Sequence, residues 1–290
     1  MESILDQIKN TYSGLSKGQK SIADFILNHY EEAAYMTASR IGRETGVSES
    51  TVVRFATELG YSGFPHFQSQ LLDDLRVHLT AAERMRAATH VIQNNEDILG
   101  AVLTADRDRL RRAYHQRDNE TFNRAVDLLL NARRIYILGL RSSAPLASYL
   151  HFYMNQIFSD VRLVTSSSTS EIIEQLIPIN DQDVLLALSF PRYATPLIKA
   201  LQFAKKAVAS TIMITDKRDN PFKDYSDCMI LAPSDMIAFV DALTVPFSTV
   251  TALIVALAAK RQNELTEHLE TLESIWRQND IYEVNNNSGL

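Results

Sequence analysis

The order of apolar and polar positions changes character near residue 131. From Met1 to about Leu79 apolar residues recur at helical spacing between short turns, and no strand candidate occurs. Ser16 and Gln19 form a capping-box pair ahead of Ile22, Phe25 and Ile26, whose offsets place them on one helical face. Thr37 is the next N-cap candidate, Gly46 and Gly60 are stops, and Gly63 with Pro65 restarts a helix carrying Leu71, Leu72 and Leu75. From about Ala81 to Asn131 the text stays helical but turns polar and charged. Arg107, Arg109, Arg111 and Arg112 are matched there by Asp106 and Asp108, which predicts a solvated or domain-bridging helix face rather than a DNA contact. From Arg134 short apolar runs alternate with amphipathic stretches, the pattern of β-α-β units. The runs IYILGL, VRLV, VLLALS, STIMIT and CMIL, starting at Ile135, Val161, Val184, Ser210 and Cys228, predict five parallel strands. Helices are expected to begin near Pro145, Glu171, Thr195 and Pro221.

Length and composition agree with two cores. The 290 residues exceed one small domain, and 46% hydrophobic with 22% charged residues is ordinary globular usage. The expected parse is 1–80 for a helical domain, 81–131 for a helical connector, 132–280 for an α/β domain and 281–290 for a disordered tail. The apolar run from Ala238 to Ala259 is broken by Asp241 and Pro246, so a buried core helix is expected rather than a bilayer span. MESILDQIKN has no basic stretch followed by an apolar one, so a cytoplasmic protein is expected. The single cysteine, Cys228, sits in a strand-like run and reads as core. Seven scattered histidines lack ligand spacing, so no metal site is expected. A net charge of -6 argues against general polyanion binding, and any contact with nucleic acid must come from local geometry.

That geometry is found around Gly46. Two short helices cross steeply only where the turn residue tolerates positive φ and small residues fill the contact. Ile41 and Gly42 precede Gly46 at suitable offsets, and Val47, Val52 and Phe55 follow on the inward face. Ser48, Glu49, Ser50, Thr51 and Arg54 are left facing outward. Ser48 caps the second helix, small hydroxyls in its first turn suit a phosphate or a base edge, and Arg54 can reach a guanine edge or a phosphate. Thr37, heading the first helix, can bind the DNA backbone. The expected fold is an all-α helix-turn-helix domain followed by an α/β three-layer domain with a five-stranded parallel sheet.

Ligands of an open parallel sheet bind beyond the carboxyl ends of its strands. After the first predicted strand come Arg141, Ser142 and Ser143; after the second, Ser166, Ser167 and Ser168; after the third, Ser189, Arg192, Tyr193 and Thr195. Hydroxyls, helix starts and two guanidinium groups on three successive loops suit a polyhydroxylated anion, such as a sugar phosphate or sugar acid. A dinucleotide site is excluded on detail, because Arg141 and Ala144 stand where a glycine fingerprint needs glycine.

The segment ASRIGRETGVSESTVVRFATELGYSGFPHFQSQL resembles the N-terminal domain of RpiR/MurR-type transcriptional regulators. The resemblance implies that VSESTVVRF is a recognition helix, that Ser48, Ser50, Thr51 and Arg54 touch DNA with Glu49 beside them, and that Tyr61 and Phe64 are packing residues. It also implies that the α/β part is a SIS phosphosugar-binding domain, with Ser142 and Ser143 matching its first serine motif. In the second motif Ser189 and Thr195 keep their hydroxyls, while a serine-glycine step is replaced by Pro191 and Arg192. Arg192 then either substitutes for the lost phosphate donors or grips a carboxylate. The implied function is a DNA-binding regulator that senses an anionic sugar metabolite as a homodimer or tetramer, without a cofactor. The last helices around Ile254, Leu257 and Trp276 are the expected interface. An isomerase with an accessory DNA-binding domain is the alternative. It would need an acid-base set for which Glu171 is the single nearby carboxylate, and a ligand-independent DNA binder is the third reading.

Overall fold

The structure is a computed structural model that describes residues 4–78, 80, 82, 83, 85, 97–234, 236, 237 and 240–282. The expected tail falls on 283–290 for all but its first two residues, and parts of the expected connector (81, 84 and 86–96) also lie outside the described residues. The chain divides into two compact units, Met1–Val102 with Met236–Val240, and Leu103–Asp235 with Asp241–Leu290.

The first unit is helical: α1 Ile4–Thr11, α2 Lys17–Asn28, α3 Tyr30–Ala33, α4 Ala38–Thr45, α5 Glu49–Glu58 and α6 Phe64–His78. Its helices start where the chain supplies caps. Ser16 and Gln19 form the reciprocal capping box of α2, Thr37 accepts from the Arg40 amide at 3.2 Å, and Ser48 accepts from the Thr51 amide at 3.3 Å. Each such cap contributes about 1 kcal/mol. Ile8, Ile22, Ile26, Ile41, Phe55 and Phe67 are fully enclosed between the helices. Phe55 meets Phe67 edge-on with centroids 5.9 Å apart.

α7 Ile98–Gln116 starts in the last residues of the first unit and continues into the second, where α8 Asn119–Leu130 leads into β1 Arg134–Gly139. There follow α9 Ala144–Ile157, β2 Val161–Val164, α10 Thr169–Leu176, β3 Asp183–Leu188, α11 Thr195–Lys206, β4 Ser210–Thr215 and β5 Cys228–Leu231. A short ladder of β6 Met236–Ile237 and β7 Val240–Asp241, which falls to the first unit up to Val240, interrupts the chain before α12 Thr244–Lys260 and α13 Gln262–Gln278 of the second unit. The five long strands pair in parallel in the order β2-β1-β3-β4-β5. Every residue of β3 is buried, as expected for a central strand covered on both faces. One face packs under α8, α9 and α12, with Leu129, Leu150, Leu186 and Leu253 enclosed; the other packs under α10 and α11, with Tyr136, Ile172, Leu185 and Leu201 enclosed.

Three expectations need correction. The helix expected near Pro221 is only a single 3-10 turn, Lys223–Tyr225. Asn220 accepts from the Phe222 amide at 2.8 Å and fixes a turn instead, while the Phe222 ring is buried against Tyr193. Arg109 is not on a solvated face: it is buried and bonded to Asp106 at 2.8 Å, and Asp106 also accepts from the Thr244 hydroxyl at 2.7 Å. Arg107, by contrast, is exposed and pairs with Asp108 at 3.0 Å. Ile254 and Leu257 are enclosed in the core of their own chain and are not available to a partner. The reason is that α12 turns one face to the sheet, leaving Phe247 and Val255 outside. No single helix among the described residues is long and apolar enough to cross a membrane.

Ion pairs fasten the start of the sheet. Asp183, with no exposed side-chain surface, receives Arg133 Nε at 3.0 Å and Nη2 at 2.8 Å. Burial would raise the carboxyls of Asp160 and Asp227, but Arg134 and Arg162 on the first, and Lys205 and Thr211 on the second, outweigh it and hold both below the ordinary range. A depressed folded-state value contributes stability that is complete above the unfolded value and is lost as pH falls through the folded one. The melting temperature of the second unit is therefore expected to be level near neutrality and to fall below about pH 4. Asp227→Asn should flatten that acid limb in calorimetric scans; an unchanged limb would remove this pair from the account.

Candidate functional site

In the first unit the crossing of α4 and α5 is set by two glycines. Gly46 ends α4 at φ 70°, in the left-handed region that favours glycine. Gly42 is buried, and a Cβ there would lie 2.8 Å from the Val47 carbonyl oxygen, so its absence lets the turn close. The Val47 amide donates to the Gly42 carbonyl at 2.9 Å across the same contact. With α5 so placed, Val52, Phe55 and Ala56 are buried, and Glu49, Ser50, Val53 and Arg54 are exposed.

Thr37 is exposed at the head of α4, and Ser48 is exposed at the head of α5. The Ser48 hydroxyl lies 2.9 Å from that of Ser50 and 2.8 Å from that of half-buried Thr51, so three hydroxyls cluster on the first turn of α5. Arg54 Nε donates to the Ser50 carbonyl at 3.3 Å, which holds the guanidinium along the helix toward the same turn. A groove of about 560 Å³ runs beside this face, lined by Ser16, Gly18 and Gln19 of the α2 start and by Ser48, Thr51, Arg54 and Glu58. Tyr61 and Phe64 pack as expected: Phe64 is buried, and Tyr61 donates to Gln7 Oε1 at 2.7 Å. Exposed Arg40 and Arg43 on α4 were not singled out from sequence, although the three-residue step from Thr37 puts them on an outward face.

In the second unit Gly139 of β1 pairs with Leu188 of β3, so the chains that follow leave adjacent strands at the same level. The first is Leu140–Ser143 and the second Ser189–Thr195. A Cβ on Gly139 would lie 2.6 Å from the Ser143 carbonyl oxygen and 2.8 Å from Ala147 Cβ, so the start of α9 is laid directly on the strand. Ser143 and Ser189 are largely enclosed as residues, at 3% and 5% exposure, and no hydrogen bond joins either hydroxyl to another of the described residues, although neither oxygen is fully buried. Ser142, Arg141, Arg192 and Thr195 are exposed, and neither guanidinium has an acidic partner among the described residues. Arg141 has φ 54°, a left-handed conformation that costs a non-glycine residue about 1 kcal/mol or more.

The loop after β2 differs in kind. Ser166 accepts from the Ser168 amide at 3.0 Å and donates to Glu171, while Ser168 and Ser170 hydroxyls lie 2.9 Å apart. These hydroxyls serve their own turn, and exposed Ser167 makes no such bond. Tyr193 donates to Asp216 Oδ1 at 2.7 Å, which ties the loop after β3 to the end of β4. Asp216, a residue that sequence reasoning did not select, is thereby at the same sheet edge. No group of three or more His, Cys, Asp or Glu residues able to hold a metal ion occurs among the described residues.

Residues 2–78 match the helix-turn-helix domain of the rpiR family, and residues 128–256 match the SIS domain. The chain belongs to the RpiR family of helix-turn-helix transcriptional regulators. Among RpiR-type relatives, the Escherichia coli HTH-type transcriptional regulator HexR is 29% identical over 222 residues, covering 73% of this chain and 72% of its own. An HTH-type transcriptional regulator of Clostridium perfringens is 27% identical over 224 residues, covering 77% of this chain and 79% of its own. The fold of the RpiR chain is also that of solved structures. The Vibrio vulnificus NanR protein, complexed with ManNAc-6P, superposes with a TM-score of 0.58 at 20% identity, over 94% of this chain and 98% of its own. The sugar isomerase domain of an RpiR transcription factor from Sphaerobacter thermophilus gives 0.59 at 19% identity, over 62% and 99%.

Proposed function

We propose that this regulator reads an operator through Thr37, Ser48, Ser50, Thr51 and Arg54, with Glu49 beside them, and that its α/β domain senses an anionic sugar metabolite, with a sugar phosphate as the leading class. Residues 1–80 are assigned to DNA, 132–280 to the effector, and 81–131 to the connection. The observation that carries the effector reading is that the loops after the neighbouring strands β1 and β3 bring Ser143 and Ser189, largely enclosed and with hydroxyls not bonded to protein, together with exposed Arg141 and Arg192, neither of which has an acidic partner among the described residues. Hydroxyls and guanidinium groups not spent on protein partners are available to the hydroxyls and phosphate oxygens of a ligand. Ser142 and Thr195 supply further donors, Tyr193 forms a wall with Asp216, and Ser166, Ser167 and Ser168 border the site. The ManNAc-6P bound to NanR supports the ligand class at the level of the shared fold.

Sensing without turnover is the reading for this site, because isomerisation needs a positioned acid and base, and the carboxylates at this edge, Glu171 and Asp216, are engaged by Ser166 and Tyr193. A second copy of the chain is the proposed partner. Phe152, Tyr153 and Phe247 form an exposed aromatic patch around Tyr149, with centroids 5.0 to 5.6 Å apart, and Val255 is 61% exposed on the same helix as Phe247. An effector that favours one dimer arrangement by about 1 to 3 kcal/mol changes DNA affinity roughly 5- to 150-fold.

The test is thermal unfolding against N-acetylmannosamine 6-phosphate, other hexose phosphates, sugar acids and neutral sugars, with Ser142→Ala and Arg192→Ala in parallel. A ligand at about 100 times its Kd adds roughly 2.7 kcal/mol and raises the midpoint by several degrees. The expected result is a shift with one anionic sugar that both variants lose. No shift with any compound would overturn the effector reading and leave the DNA-binding half.

A further inference from the structure

A second cluster of cations lies away from the sheet edge just described. A recess of about 250 Å³ opens between the first turns of α8 and the start of β5, lined by Thr121, Arg124, Arg218, Lys223, Asp227 and Cys228 among others. Three of these carry positive charge and one negative. The negative one is already neutralised: Asp227 receives Lys205 Nζ, the Thr211 amide at 2.9 Å and the Thr211 hydroxyl at 2.8 Å. Arg218 is shared with Asp118, whose own oxygens also take the Thr121 amide at 3.0 Å and the Thr121 hydroxyl at 2.7 Å. Arg124 and Lys223 are exposed and have no acidic partner among the described residues.

We propose that this recess is a second anion site, built for a phosphate-sized dianion and separate from the effector pocket. Its donors are the Arg124 and Arg218 guanidinium groups and the Lys223 ammonium, a set that favours phosphate over a neutral ligand. Its volume of about 250 Å³ leaves room for a phosphate held by all three cations. Separation follows from the register. Cys228 is level with Ile212 and hence with Leu186, three residues before Ser189 and two strands across from it. That is about 10 Å along the strands and about 10 Å across them.

The site also has a built floor. Cys228 Sγ donates to the Thr121 carbonyl at 3.2 Å, and burial raises the thiol above its usual range, so no thiolate competes for the cations near neutrality. Ser226 donates its hydroxyl to the Phe222 carbonyl at 2.9 Å, which leaves the three cations as the facing donors. An anion held there bridges the start of α8 to the β4-β5 connection, two segments whose direct tie is the exposed Arg218–Asp118 pair.

The experiment is calorimetric titration of the full chain with inorganic phosphate at constant ionic strength. Arg124→Gln and Lys223→Gln are each expected to weaken binding at least tenfold, about 1.4 kcal/mol. Lys260→Gln, an exposed cation at the end of α12, should bind phosphate as the unaltered chain does, and Arg124→Lys should recover most of the affinity. Lys223 lies in an exposed turn, so its variant carries the test if the Arg124 variant does not fold. Absence of phosphate binding by the unaltered chain overturns the proposal. So does loss of binding in Arg141→Gln with normal binding in Lys223→Gln, which would place the phosphate in the effector pocket. Equal weakening by Arg43→Gln, a cation of the other unit, would reduce the effect to general charge and overturn it as well.

Discussion

Gly42→Ala is expected to lower affinity for a duplex selected from a random pool by about thirtyfold, while the response of the α/β unit to its effector is unchanged. The added Cβ would sit 2.8 Å from the Val47 carbonyl oxygen and 3.4 Å from the Glu49 amide nitrogen. Both are backbone atoms and cannot swing aside, so α5 must move as a body and carry Ser48, Ser50, Thr51 and Arg54 with it. Overpacking of this kind costs about 2 kcal/mol, equivalent to roughly thirtyfold in affinity. Gly46→Ala is the control with a different cause. Nothing lies within 4 Å of a Cβ there, and φ 70° sets the cost, about 1 kcal/mol against stability with a smaller change in DNA affinity. Anisotropy titrations of both variants, with melts beside them, separate the cases. Wild-type affinity in Gly42→Ala would show that the crossing of α4 and α5 does not position the reading face.

Gly139→Ala should produce the reverse pattern, with loss of the effector-induced thermal shift and retention of DNA binding in the absence of ligand. Its Cβ would meet the Ser143 carbonyl oxygen at 2.6 Å and Ala147 Cβ at 2.8 Å, so the first turn of α9 must lift from β1. A destabilisation of about 1 to 3 kcal/mol is expected, and Ser143 is carried away from Ser189. Ser143→Ala removes the hydroxyl without adding volume. It should leave the unliganded stability within about 0.5 kcal/mol of the parent and still reduce the shift. Full effector response in Ser143→Ala would remove that hydroxyl from the pocket.

These three glycines show what can be read from the chain. Gly46 is legible because it follows a helical run and precedes a capping serine, which is a local signal. The need for glycine at Gly42 is legible only through its offset from Gly46, and at Gly139 it was not legible, because the Ser143 carbonyl and Ala147 that exclude a side chain arrive from the next helix. The strands were legible for a similar local reason: β3 is buried on both faces and carries the unbroken apolar run Val184–Leu188, and β4 carries Ile212–Ile214 between β-favouring threonines. The expected helix near Pro221 failed because Phe222 is spent on the core and Asn220 on a turn. Arg109 was misjudged because its enclosure depends on where α7 packs, and Ile254 and Leu257 were assigned to a partner because a strongly apolar helix does not announce which of its faces the sheet covers.

The effector loops divide along the same line. The recurrence of hydroxyls after three strands is a sequence fact, and parallel order places all three at one edge. Which hydroxyls remain available is decided by tertiary contacts. Ser166 and Ser168 bond within their own turn, whereas Ser143 and Ser189 lie largely enclosed with hydroxyls not bonded to protein, because β1 and β3 are neighbours and Gly139 draws the α9 start inward. The sequence by itself determined most of the element types, the helix caps, the five parallel strands and the two families of segment, since each depends on propensity, capping and periodicity over a few residues. Only the tertiary structure decided the pairing of Tyr193 with Asp216, the burial of Arg109 and the gathering of Arg124, Arg218 and Lys223. Those contacts join residues 3 to 99 positions apart, or bury charge against a packed neighbour, and no local pattern along the chain encodes them.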